Sequence, residues 1–464
     1  MTAAFAPGSA LAYLRAHRDQ AVNAVATLVR IPTVSAQKEH RPHLDHCAQW
    51  LRNHLARIGL AYARLVSTPT GGPPLVMAEW TGAAGRPTVL IYGHYDVQPA
   101  DAGEGEVWED PPFAGITRGD ELRGRGASDN KGQFFAHLAA IEAQLATTGR
   151  LPVNVRCLFE GEEEIGSPGL LAVTGSRPEL FSADVAVISD MPMVGPDYPA
   201  ITYALRGLLS AEVTIERPGP SLHAGLFGGA VSDPIHALCR LAATLRMPDG
   251  RINLPNFYAD VREVDATDRR EMAQIATLGG GPRHHDVGGG EPDFTPIERT
   301  TIRPAMTVTA FQGGYMGTGI KSAIARVARL DLDLRLVPDQ RSDAALAGLR
   351  KHCAALAMRG QVVRLQVASR SEPLLLDRTH PAMGAAARAC QRVFGRPPCF
   401  RRSSGTIPFA GVLAHELGVT PLLLGFALPD DNIHGPNERL HLPTFFRAMD
   451  LSLALLQELA AVRP

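Results

Sequence analysis

Four short apolar runs in this chain each stop at, or lead by a loop to, a residue with a metal-seeking side chain. Val89-Leu90-Ile91-Tyr92 ends at Gly93-His94-Tyr95-Asp96, residues 153–159 end at Glu160-Gly161-Glu162-Glu163-Glu164, and residues 184–189 end at Asp190. Pro421-Leu422-Leu423-Leu424 leads through a loop to Ile433-His434-Gly435. Continuous apolar runs of this length are typical of strands covered on both faces. Helical patterns lie between them, notably 131–146 with Phe134, Phe135, Leu138, Ile141 and Leu145. Such alternation predicts an α/β fold, with a mostly parallel sheet and helices on both faces. Ligands of these sheets gather at the carboxyl ends of the strands. The pattern therefore sends the chemical residues toward one crevice.

A chain of 464 residues exceeds the size at which one core stops growing, so two domains are expected. Residues 11–29 and 43–60 read as amphipathic helices, the second with Leu44, Cys47, Trp50, Leu51, Leu55 and Ile58 at helical spacing. From about Arg206 the pattern changes. Residues 210–216 and 329–336 alternate strictly, as half-buried strands do, and 233–246 and 343–358 look helical. This is the composition of an inserted α+β domain spanning 206–370, with a Gly-rich flexible loop at Leu278 to Gly290. Residues 1–205 and 371–464 would then form a discontinuous catalytic domain.

The balance of charge narrows the function. Formal net charge is −1 and no long Lys/Arg block occurs, which argues against nucleic acid or an anionic membrane as partner. Six cysteines show no paired spacing, as in a reducing cytoplasm. Met1 to Ala10 lacks the form of a signal peptide, and no segment approaches the ~20 apolar residues of a membrane span. A cytoplasmic protein is expected.

A fifth chemical stretch, Gly126-Ala127-Ser128-Asp129-Asn130, precedes the 131–146 helix. Together the five supply two imidazoles, several carboxylates and no thiol, a set that suits two divalent ions and hydrolysis. Each residue also has an ordinary reading. His94 could be a hydrogen-bonded core histidine, Asp129 a turn residue among glycines, Glu162 to Glu164 a solvated face, Asp190 a cap and His434 a loop residue. Five independent coincidences at the mouth of one sheet are a poorer explanation than one metal site. Asp96 stands two positions after His94, where a carboxylate fixes the imidazole tautomer.

Gly93-His94-Tyr95-Asp96-Val97-Gln98-Pro99 resembles the first signature of the dinuclear zinc/manganese peptidase family. That family includes carnosinases, cytosolic non-specific dipeptidases, aminoacylases, succinyl-diaminopimelate desuccinylases and glutamate carboxypeptidases. Gly124 to Gly132 is similar to its second signature and Glu160 to Ser167 to its third. The YDVQP segment and the long insertion bring the chain nearest the dipeptidase branch. By position, the resemblance implies that His94, Asp129 and Asp190 hold one ion and that Asp129, Glu164 and His434 hold the other, with Asp129 bridging. It makes Glu163 the general base, Asp96 a catalytic partner of His94, and Asp129–Asn130 a non-proline cis peptide. Where most relatives have Asp after the bridging residue, this chain has Asn130. Zinc is the ion implied, with manganese or cobalt also accommodated.

The resemblance further makes His223, in Ser221-Leu222-His223-Ala224-Gly225, an oxyanion donor that reaches the other subunit of a homodimer. The insertion would act as lid and dimerisation domain, hinged near residues 205 and 370. Arg335 matches a residue that grips the substrate carboxylate, and Gly405 and Thr406 match a loop that touches it; Ser322 and His380 match further substrate contacts. Two readings remain open: a dipeptidase acting on a peptide with a free C-terminal carboxylate, or an N-acyl-amino-acid amidohydrolase or carboxypeptidase of the same family. A metal-binding protein without activity would not need Glu163 beside a full ligand set.

Overall fold

The computed structural model describes residues 9–462, apart from 102, 104, 282–288 and 357–359. One nine-stranded sheet runs in the order Ala61–Val66, Leu75–Trp80, Asn154–Glu160, Thr88–His94, Val185–Ser189, Thr420–Leu424, Ala200–Leu205, Leu374–Leu375, with Cys399–Arg402 pairing beside Ala200–Leu205. Its four central strands are the four apolar runs, and they are parallel. Antiparallel pairs flank them on both sides. Every residue of Val185–Ser189 is buried, as is all of Thr88–His94 after its first residue, so both faces of the centre are covered.

Register matters more than strand count. His94 lies beside Glu160, and Leu424 beside Ser189. The central strands therefore end level, and the residues that follow them share one edge. Gly93 shows how tightly that edge is packed: a Cβ there would lie 2.6 Å from the Phe134 Cβ and 2.9 Å from the Asn130 side chain. Only a glycine lets the Gln133–Thr148 helix approach the strand this closely.

Helix Arg41–Arg57 buries Leu44, Cys47, Leu51 and Leu55, as its spacing predicts. The single helix expected over 11–29 is instead two, Ala10–Ala16 and Arg18–Val29, broken at His17. Among the described residues no helix is long and apolar enough to cross a membrane.

A second, antiparallel sheet runs in the order Ala305–Gly313, Val327–Leu336, Gly207–Glu216, Val362–Ser371. Its strand Gly207–Glu216 alternates buried and half-buried at every position. Leu330, Leu332, Leu334 and Leu336 form its core with Leu238 and Leu241 of helix Pro234–Thr244 and with Leu346 and Leu349 of helix Ser342–Leu356. This core is separate from that of the large sheet. One part of the insertion behaves differently. Met272 and Ile275, with Ile297 and Ile302, pack on Val194 and Ala200 of the first unit. Ion pairs of Arg378 and Arg402 with Asp268 tie the same helix down. Of the loop expected at 278–290, residues 282–288 lie outside those described.

Candidate metal centre

His94 is completely buried at the end of its strand. Its Nδ1 faces Asp96, 3.1 Å from the backbone oxygen and 3.4 Å from Oδ1, which leaves Nε2 free to face the crevice. There Nε2 lies 3.1 Å from Asp129 Oδ1 and 3.7 Å from Asp190 Oδ1. The Asp96 carboxylate also reaches the next strand end, where its two oxygens accept the backbone N–H groups of Glu163 and Glu164 at 3.2 and 3.1 Å. One buried carboxylate thus orients the histidine of one strand end and the acid run of the next.

Asp129 sits in the loop before the Gln133–Thr148 helix, and its peptide bond to Asn130 is cis. The loop is organised around Glu438, which is fully buried. Glu438 accepts the N–H groups of Gly126, Ser128 and Asp129 at 2.8, 3.0 and 3.0 Å, and it pairs with Arg125 at 3.0 Å. Asn130 donates to Ser189 O at 2.6 Å and to Asp190 Oδ1 at 2.9 Å. An aspartate in place of Asn130 would lose that donor and set a like charge against Asp190.

His434 adopts a left-handed backbone conformation, φ 65°. Its Nε2 points to Asp129 Oδ2 at 3.0 Å and to Glu164 Oε2 at 3.3 Å. Gln98 donates to the same Glu164 oxygen at 2.8 Å. Five donors therefore fall into two triads, His94–Asp129–Asp190 and His434–Asp129–Glu164, and the two oxygens of Asp129 are divided between them. His94, Asp129 and Glu164 each place a donor atom within 4.8 Å of the others.

Electrostatics decides whether such a set fits cations. Burial, then the Asp129 charge, pushes the Glu164 and Asp190 carboxyls above their usual range. Burial also pushes Glu163 well up, with Asp190, Glu164 and Asp129 adding repulsion and His94 opposing. Hydrogen bonds to Asp129 and Glu164 raise His434 to about 10. Burial would lower His94, but its bonds to Asp129, Asp190 and Asp96 outweigh it and raise it well above the normal value. Four carboxylates thus crowd two imidazoles, an excess of negative charge that suits cations. Ligands about 2.0–2.2 Å from a tetrahedral ion lie about 3.4 Å from one another, close to the separations within each triad. The residues fit two divalent cations.

The acid run divides by role. Glu160 accepts from Tyr92 Oη and Ser167 Oγ at 2.7 and 2.8 Å, and Glu162 accepts from Gly169 N at 2.9 Å, so both brace the fold. Glu163 and Glu164 face the cluster. Among the described residues no ion pair ties down the half-buried Glu163 carboxylate.

The other predicted residues form separate groups. Arg335 Nη1 donates to Thr406 Oγ1 at 3.2 Å, and Gly405 is next in the chain, so these three meet. His223 and Ser322 meet elsewhere, on the short paired strands Leu222–His223 and Ala323–Ile324, where Ala224 N donates to Ser322 O at 3.1 Å. The exposed His223 ring accepts from Gly225 N at 3.0 Å and is not gathered into the metal cluster. His380 caps helix Pro381–Phe394 and lies 3.4 Å from Thr420, at the end of its strand opposite the one that leads to His434. Glu438 and Gln98 had no assigned role in the sequence. Gln98 stood within the first signature, two residues after Asp96, and Glu438 four residues after His434.

An α/β sheet whose level strand ends present this donor set defines a metal-dependent hydrolase. The chain belongs to peptidase family M20/M25/M40, whose model matches residues 90–458. It is 29% identical to the Cys-Gly metallodipeptidase of Schizosaccharomyces pombe over 467 residues, covering 96% of this chain and 97% of the relative. Human carnosine dipeptidase 1 superposes with a TM-score of 0.81 at 26% identity, covering 97% of this chain and 98% of that one. The M20 family metallo-carboxypeptidase Sso-CP2 of Sulfolobus solfataricus superposes with a TM-score of 0.82 at 28% identity, covering 95% and 99%.

Proposed function

We propose that this chain is a dinuclear metallodipeptidase that cleaves the amide bond of dipeptides carrying a free terminal carboxylate. The observation that carries the reading is the division of the Asp129 carboxylate between two imidazole-bearing triads. His94 and Asp190 would hold one ion, His434 and Glu164 the other, and Asp129 both. Zinc fits the mixed nitrogen and oxygen set, and manganese or cobalt would be tolerated. When bound, the two cations polarise the scissile carbonyl and acidify a water molecule. Glu163 takes a proton from that water at its carboxylate and later returns it to the leaving amine. Asp96 fixes the His94 tautomer and holds the backbone that carries Glu163. Arg335, Thr406 and Gly405 grip the substrate carboxylate; Ser322 and His380 would add contacts as the substrate settles. A cytoplasmic location agrees with six free cysteines.

The domain division follows the same reading: 1–205 and 371–464 carry catalysis, and 206–370 forms a lid and dimerisation unit. Leu226, three residues after His223, is 76% exposed, and Met316 and Ile320, which precede the strand paired with Leu222–His223, are 82% and fully exposed. An apolar surface of this kind suits burial against a second copy, and His223 would then donate to the oxyanion in the partner's site. Mixing His223→Ala with Glu163→Gln subunits is expected to restore activity to about a quarter of the wild-type sites, because only one site of each hybrid dimer is whole. Two inactive parents that stay inactive when mixed would place His223 in its own subunit's site or in none.

An N-acyl-amino-acid amidohydrolase or a carboxypeptidase is the second reading, favoured by the likeness to the Sulfolobus carboxypeptidase. Both classes release a carboxylated amine, so Arg335 serves either. A panel of dipeptides run against N-acetyl and N-succinyl amino acids separates them. Dipeptide hydrolysis is the expected result, and exclusive deacylation would overturn it.

A further inference from the structure

Arg206 is the single residue between the strand Ala200–Leu205 and the strand Gly207–Glu216. It is 8% exposed. Its backbone N–H donates to Gly405 O at 3.1 Å, its Nε donates to Ser404 O at 3.1 Å, and its own carbonyl accepts Thr406 Oγ1 at 2.6 Å. That threonine oxygen also receives Arg335 Nη1. Both arginines thus anchor on the Ser404–Thr406 loop, and Arg335 stands opposite Leu208, two residues along from Arg206.

Among the described residues no carboxylate pairs with Arg206 or Arg335 in an ion pair, although most other arginines of this chain have one. The buried Arg206 Nη1 has no hydrogen-bond partner among the described residues. Burial first, and the Arg335 charge second, pull the Arg206 guanidinium down to about 10. Burying an arginine beside a second arginine, with a donor unused, is costly unless an anion completes the set. A planar carboxylate matches the guanidinium fork.

We propose that Arg206 is the second guanidinium of the receptor for the substrate's terminal carboxylate, which enters between it and Arg335 beside Thr406. The inference rests on the dipeptidase reading, and it adds a specificity residue that neither the motifs nor the metal cluster contains. It explains why the junction between the two sheets, where a loop of the large unit meets a strand of the small one, holds uncompensated positive charge.

The test compares Ala-Gly with its C-terminal amide on the metal-loaded enzyme. The wild type is expected to prefer the free acid. Arg206→Met is expected to lower kcat/KM for the acid by about 10- to 100-fold, mostly through KM, as loss of a charged hydrogen bond does. The amide should change less than about 3-fold, so the acid preference collapses. Arg206→Lys keeps charge and packing but not the fork, and a partial collapse is expected there even if the Met variant fails to fold. Arg335→Met should give the same collapse, and the double variant less than the combined loss, since both hold one carboxylate. Equal losses for acid and amide in both Arg206 variants, or an intact preference, would overturn the proposal in favour of a structural role. An enzyme that leaves Ala-Gly untouched but cleaves N-acetylglycine would refute the dipeptidase reading alone; N-acetylglycine and its amide would then carry the same comparison.

Discussion

Glu163→Gln is expected to lower kcat by about three orders of magnitude, within the range that positioned acid–base catalysis contributes. Metal content and thermal midpoint should stay at the wild-type values. The reasons are local. The Glu163 backbone N–H is held by Asp96, its neighbours Asp190, Glu164 and Asp129 raise its proton affinity, and among the described residues no ion pair consumes its carboxylate. A glutamine keeps the shape but takes no proton. Steady-state kinetics with elemental analysis of the same preparation reads both halves of the expectation. Turnover within a few-fold of wild type would remove Glu163 from the role, and lost metal would make it a ligand.

The largest stability effect is expected at Glu438, which touches no predicted ligand side chain. Glu438→Ala leaves three backbone N–H groups and Arg125 without their acceptor in a fully buried site. Removing one partner of a buried ion pair costs about 3–5 kcal/mol. Since the same N–H groups set the backbone of Asp129, affinity for the second metal equivalent should fall with stability. Glu438→Gln restores one acceptor oxygen and should fall between. Denaturant midpoints of metal-loaded protein, together with metal titration, measure both effects. An Ala variant with wild-type midpoint and wild-type metal binding would mean that water replaces the carboxylate at no cost.

Much of this was legible in the residues because two independent signals coincided. Val89 to Tyr92 and residues 184–189 are apolar almost without interruption, which only a doubly covered strand requires, and each run stops at a residue with metal chemistry. The antiparallel borders of the sheet were not legible. Ala61–Val66 is an exposed edge strand with a broken register, and Ala200–Leu205 looks like any other apolar run until its neighbours are known. The same limit applies to the site. Candidate ligands announced themselves by residue type, three of them just at or after strand ends. Glu438 and Arg206 act through distant backbone atoms, and one-dimensional spacing carries no trace of those partners. The packing of Met272 and Ile275 on the first unit was hidden for a related reason: helix periodicity gives an apolar face but not what covers it.

The passage from the large sheet to the small one takes one amino acid, Arg206, and the way back takes two, Glu372 and Pro373. Tethers so short fix the separation of the two sheets at that corner, and the packing of Met272 and Ile275 on Val194 and Ala200 supplies a second point of attachment. A ligand anion clasped at that corner would join the two sheets through a single charge.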